Sequence, residues 1–243
     1  MRFLPEVCRR WRTLLCGAVL TAAGMAVQSA PTLDDSMAQR TRACTVCHGE
    51  QGRAGPDGYY PRIAGKPAGY LFHQLQHFRD GRRHYGLMNR LLQPLSDDYL
   101  MLIARHFGEQ HLPYAPPLPL APAEREASRL GETLALQGDR ARGLPACVAC
   151  HGQALTGVLP ATPGLLGLPR DYISAQLGAW RAGQRRAHAP DCMAEIAQKL
   201  SLADVHGLSL WLAAQAVPAA RSRPAAQPDG EPPMRCGSML ATR

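Results

Sequence analysis

"ACTVCHGEQG", residues 43–52, sets Cys44 and Cys47 three positions apart and follows the second directly with His48. Further along, "ACVACHGQAL", residues 146–155, repeats the arrangement as Cys147, Cys150 and His151. On a helix, positions i, i+3 and i+4 lie on one side of the backbone, so each motif would present two thiols and an imidazole to a single surface. That geometry suits a flat porphyrin. The two sulfurs can form thioether bonds to the vinyl groups of a haem while the imidazole binds its iron from the proximal side. A structural zinc site would need its four ligands grouped by spacing, and a thioredoxin-like redox pair would need a βαβ context. Neither is present, and two covalently bound haem c groups account for both motifs.

The repeat extends well past the motifs. Pro61, Gly65, Tyr70, Gln74, Leu75 and Gly81 recur as Pro163, Gly167, Tyr172, Gln176, Leu177 and Gly183, and Met88 and Ser96 recur as Met193 and Ser201. A repeat of this length is a small domain, so the chain divides into residues 31–114 and 123–217, joined by the Pro-rich stretch "APPLPLAP" at 115–122. In the first unit, apolar residues at helical spacing mark a helix over 70–80, and Ser96, followed by Asp97 and Asp98, opens another. The second unit has counterparts at 172–182 and 201–216, preceded by a helix at about 123–137. No segment alternates as a strand would, so the expected fold class is all-α, with short helices and long loops. A core built from so few helices and so few aromatic residues would be thin, and the haem is expected to fill it. Residues 218–243 are rich in Pro, Ala, Arg and Gly, which predicts a disordered tail dispensable for haem binding.

The first 30 residues read as an export signal. Arg2, Arg9, Arg10 and Arg12 precede an apolar run from Leu14 to Val27 that ends in small residues. The run is shorter than the roughly 20 residues a membrane span needs, so a periplasmic protein is expected. Peripheral association with the membrane stays open. Removing the signal takes four arginines and Glu6 with it and lowers the net charge from +8 to +5. No basic block interleaves with aromatics, which excludes nucleic acid as an expected partner. Of the eight cysteines, Cys8 and Cys16 leave with the signal, four serve the two motifs, and Cys192 and Cys236 remain.

Each iron needs a sixth ligand. Met88 and Met193 stand at equivalent places in the repeat and are the expected thioether ligands, with His84, His188 and Cys192 as nearby competitors. Arg83 and Arg185, also equivalent, are candidates to pair with haem propionates. The segments "PRIAGKPAGYLFHQLQHFRDGRR", "LSDDYLMLIARHF", "GLPACVACHG", "GLLGLPRDYISAQLGAWRAGQRR" and "LSLADVHGLSLWLA", with the two methionines, resemble the dihaem cytochrome c4 family of class I c-type cytochromes. The resemblance implies two cytochrome c-like domains about a pseudo-twofold axis. It also implies a respiratory electron carrier between a quinol-oxidising complex and a terminal oxidase or reductase, with no catalytic residues. By the same resemblance, Pro61 and Pro163 offer carbonyls to His48 and His151. The rival readings are a haem enzyme, either a dihaem peroxidase or a sulfur-compound dehydrogenase, and a cytochrome subunit of a larger dehydrogenase. Cys192 is the feature that favours an enzyme.

Overall fold

Leu71, Phe72 and Phe78 fall on one face of the helix expected over 70–80, and the computed structural model buries all three. It describes residues 35–55, 58–117 and 119–239, so the export signal lies outside the described part. The first half contains α1 (Met37–Arg40), α2 (Arg42–His48), α3 (Ala68–Arg79), α4 (Gly86–Leu92) and α5 (Asp97–Gly108). Helix α3 packs on α4 and α5, and Leu71, Phe72 and Phe78 meet Leu92, Leu100, Ile103, Ala104 and Phe107 in one buried cluster. Ser96 begins α5 as its spacing implied, with its Oγ accepting the Tyr99 N–H at 3.3 Å and satisfying one of the free first-turn donors.

The second half contains α6 (Arg125–Leu136), α7 (Val148–His151), α8 (Arg170–Arg181), α9 (Cys192–Lys199) and α10 (Leu202–Ala214). Ser201 and Asp204 cap α10 reciprocally: Ser201 Oγ accepts from Asp204 N at 3.1 Å, and Asp204 Oδ2 accepts from Ser201 N at 2.7 Å. Helices α6 and α10 cross on glycines, because a Cβ at Gly131 would strike the Gly207 carbonyl and one at Gly207 would strike that of Ala127. The close crossing gathers Leu134, Ala135, Leu200, Val205 and Leu208 into a second core.

Two expectations need correction. A short antiparallel pair, β1 (Gly157–Val158) with β2 (Thr162–Pro163), interrupts the helices. Two-residue strands are too short to show alternation. The segment from 218 to 239, expected to be disordered, follows the surface of the second half. Ala225 pairs on both sides with β1, its N–H donating to Gly157 O and its carbonyl accepting from Leu159 N, both at 2.8 Å. Gly237 N donates to Pro190 O at 2.9 Å, and Cys236 is disulfide-bonded to Cys192. The composition correctly signals little apolar burial, but backbone pairing and a covalent cross-link hold the segment without it.

Between the halves, the chain leaving α5 is pinned by Arg62. Its guanidinium donates to the carbonyls of Leu112 at 2.6 Å and Pro113 at 3.0 Å and stacks 4.0 Å from the centre of the Tyr114 ring.

Candidate cofactor site

Both Cys-x-x-Cys-His motifs are helical where it matters. Helix α2 carries Cys44, Cys47 and His48, and Cys147 caps α7, which carries Cys150 and His151. Each helix stops directly after its histidine. Gly49 (φ 75°, ψ 166°) and Gly152 (φ 82°, ψ 152°) occupy a region essentially reserved for glycine, and a Cβ at Gly49 would also collide with the Ala54 carbonyl. The turn lets the following loop double back beside the ring. There His48 Nδ1 lies 2.9 Å from Pro61 O, and His151 Nδ1 lies 2.7 Å from Pro163 O. A carbonyl only accepts, so each Nδ1 carries the proton and each Nε2 keeps a free lone pair. Burial holds both imidazoles below the usual histidine range, although the proline carbonyls pull the other way. The neutral form is therefore favoured.

One cavity of about 1180 Å³ takes in both motifs. Leu71, Phe78 and Ile103 line it on one side, and Leu177, Ile196 and Leu212 on the other. Met88, on α4, and Met193, in the first turn of α9, both border it. The four motif cysteines are unpaired, and burial raises the Cys147 thiol to about 11 and shifts Cys44 and Cys150 upward as well. Among the competing ligands, exposed His84 borders the cavity. His188 instead packs on His73 and His77, with ring centres 4.9 and 4.7 Å apart. Cys192 is committed to its disulfide and offers no free thiolate.

Arg83 and Arg185, the candidates to pair with propionates, are buried. They face each other across the join between the halves, 9% and 4% exposed, and their backbones form an isolated antiparallel bridge. Gln74 Oε1 accepts from both guanidiniums, at 3.1 Å from Arg83 and 2.8 Å from Arg185, and Gln176 Oε1 does the same at 2.6 and 2.9 Å. Arg83 also donates to the Tyr172 hydroxyl at 2.9 Å. Burial and the neighbouring Arg83 charge pull Arg185 down to about 10.

Sequence reasoning missed two further buried cations, Arg62 and Lys66. Lys66 crosses from the first half to donate to Gly164 O at 2.9 Å, next to the carbonyl that holds His151, and burial pushes it down to about 8. The available signal was a break in the repeat, since the position equivalent to Lys66 holds Leu168. None of these four cations forms an ion pair with a carboxylate among the described residues. Buried charge without a counter-ion is costly, and a pair of haems would bring about four propionates to offset it. Apolar walls, neutral imidazoles, two free thiols in each motif and buried cations without a carboxylate partner all fit haem c.

No family model matches the chain. It is 37% identical over 173 residues to a thiosulfate dehydrogenase electron acceptor from Thiomonas intermedia, covering 71% of this chain and 78% of that protein. It is 34% identical to cytochrome c4 from Pseudomonas aeruginosa, covering 73% and 87% of the two chains. The crystal structure of reduced recombinant cytochrome c4 from Pseudomonas stutzeri superposes with a TM-score of 0.64 at 30% identity, over 74% of this chain and 96% of that one. With these likenesses over most of its length, the chain belongs to the cytochrome c4 family of electron-transfer proteins.

Proposed function

We propose that the chain is an exported dihaem electron carrier, with Cys44 and Cys47 holding one haem and Cys147 and Cys150 the other. The observation that carries this reading is the single cavity that encloses both motifs. Haem c supplies one-electron exchange between ferrous and ferric iron. His48 and His151 would offer Nε2 to the irons, and Met88 and Met193 would supply soft, neutral thioethers, a ligand type that favours the ferrous state. Pro61 and Pro163 hold the imidazoles in one tautomer and orientation. The apolar lining excludes water and disfavours the extra charge of ferric iron. Arg83, Arg185, Arg62 and Lys66 compensate the propionates. No helix among the described residues is long and apolar enough to cross a membrane, which is compatible with the periplasm.

A carrier needs a donor. The name of the Thiomonas relative, an electron acceptor of thiosulfate dehydrogenase, favours a sulfur-compound-oxidising enzyme as donor over a quinol-oxidising complex. A terminal oxidase or reductase remains the proposed acceptor. The disulfide at Cys192 removes the feature that favoured an enzyme. The test is anaerobic reduction of the oxidised protein, followed at the haem α-band. Thiosulfate alone should leave it oxidised, and thiosulfate with a catalytic amount of thiosulfate dehydrogenase should reduce it fully. Rapid reduction by thiosulfate alone would move the enzyme reading ahead.

Lys66 makes the two sites unequal. A buried positive charge beside the His151 loop disfavours ferric iron in the second half, whereas Leu168 brings none to the first. Lys66→Met should lower the potential of one haem by some tens of millivolts, on the order expected for one buried charge, and leave the other within about 10 mV. Equal shifts at both haems in a potentiometric titration would refute this.

A further inference from the structure

The two methionines are held in place by different means. In the first half Asn89, next to Met88, ties α4 to its surroundings: its Oδ1 accepts from Tyr85 N at 2.8 Å, and its Nδ2 donates to the carbonyls of Phe78 and Arg83. The Phe78 bond anchors the methionine segment to α3. The repeat places Ala194 at the equivalent position, and alanine has no amide to fasten anything. Asp191 replaces only the local part, accepting from Ala187 N at 2.6 Å and Ala194 N at 3.1 Å.

The missing anchor in the second half comes from the C-terminal segment. Cys192, directly before Met193, is bonded to Cys236, while Leu87, its counterpart beside Met88, is exposed. Around that bond Gly237 N donates to Pro190 O and His188 N to Ser238 Oγ. The same segment is fastened at its other end to β1 through Ala225, and Thr156 Oγ1 donates to Arg223 O at 3.1 Å. It therefore runs from the hairpin that carries Pro163 to the segment that carries Met193. On the way Met234, Cys236, Ser238 and Met239 contribute to the cavity lining.

We propose that residues 218–239 are a covalently fastened strap that positions Met193 and closes the second haem's side of the cavity, with the Cys192–Cys236 bond doing for Met193 what Asn89 does for Met88. This rests on the reading of Met193 as the sixth ligand. Cleaving the bond leaves the Met193 segment tied to the strap only by the Gly237–Pro190 and His188–Ser238 hydrogen bonds, so the thioether should dissociate more readily and admit small ligands. The haem in the first half should not respond.

The experiment uses the full-length holoprotein and its Cys192→Ser/Cys236→Ser variant, which has no thiol there to compete for iron. Haem content and far-UV circular dichroism confirm folding. The wild-type protein should show thioether-to-iron absorption from both haems and bind no carbon monoxide. In the double variant one haem should lose most of that absorption and bind carbon monoxide with a stoichiometry near one per chain. Asn89→Ala should do the same to the other haem. If the double variant does not fold, the wild-type bond can be opened with a water-soluble phosphine. The phosphine gives up two electrons and takes oxygen from water as its oxide, the two sulfurs end as thiols, and iodoacetamide then blocks them. A double variant, or an opened and blocked wild type, that keeps both absorptions and stays closed to carbon monoxide would overturn the strap. A wild-type protein with one thioether-ligated haem or none would instead overturn the ligand assignment, and that shows before any residue is changed.

Discussion

Met88→Ala is expected to abolish the thioether-to-iron absorption of one haem, open that iron to carbon monoxide and lower its potential by on the order of 100 mV, the scale on which axial ligands act. The thioether stabilises ferrous iron because it is soft and uncharged, and water or hydroxide entering the vacated position would stabilise the ferric state instead. The structure adds a control. His84 also borders the cavity, but its side chain is exposed on the loop before α4. His84→Ala should leave absorption, spin state and potential unchanged. If His84→Ala converts the haem to high spin and Met88→Ala does not, the ligand assignment in the first half is wrong. Met193→Ala should act in the same way on the second haem.

The largest chemical effect is expected from Cys147→Ala with Cys150→Ala. Thioether bonds do not depend on the fold, so the wild-type protein should keep two haems through acid-acetone extraction and the double variant one. Intact-mass measurement on exported protein reads the count directly. The loss also reaches the core: Cys147 packs against the buried clusters that hold Leu134 and Leu144 and that hold Val148 and Ile173. Without its haem the second half would surround an apolar cavity, and it should unfold at a lower temperature than the first. A variant that still retains two covalent haems would refute the attachment sites.

Much of the site was legible in the chain because its chemistry is local. Cys44, Cys47 and His48 share a face through helical spacing alone, and the repeat to Cys147, Cys150 and His151 made coincidence untenable. The helices near 70–80 and 172–182 and the Ser96 and Ser201 caps were likewise written in short-range pattern, and they stand within one or two residues of where the spacing put them. The partners of His48 and His151 lie 13 and 12 residues away, and the family resemblance, not the spacing, pointed to Pro61 and Pro163.

What the linear pattern does not contain is which distant groups meet. In sequence Arg83 and Arg185 are two equivalent cations, candidates to pair with propionates and with no visible partner. They become a buried pair because packing the two halves sets Gln74 and Gln176 between them and removes water from both at once. Lys66 reaches Gly164 across 98 residues, and the break in the repeat at Lys66 marks the position without naming its partner. Cys192 and Cys236, separated by 44 residues, could be seen as the two cysteines left over, but their pairing depends on where the tail's backbone runs. That course is set by hydrogen bonds to β1 and Pro190, which carry no side-chain signature. The sequence alone determined the two Cys-x-x-Cys-His motifs and the helices, because both depend on residues within a turn or two of each other. Only the tertiary structure decided the electrostatics of the join and the pairing of Cys192 with Cys236, because charge burial and cross-linking depend on distances that folding creates.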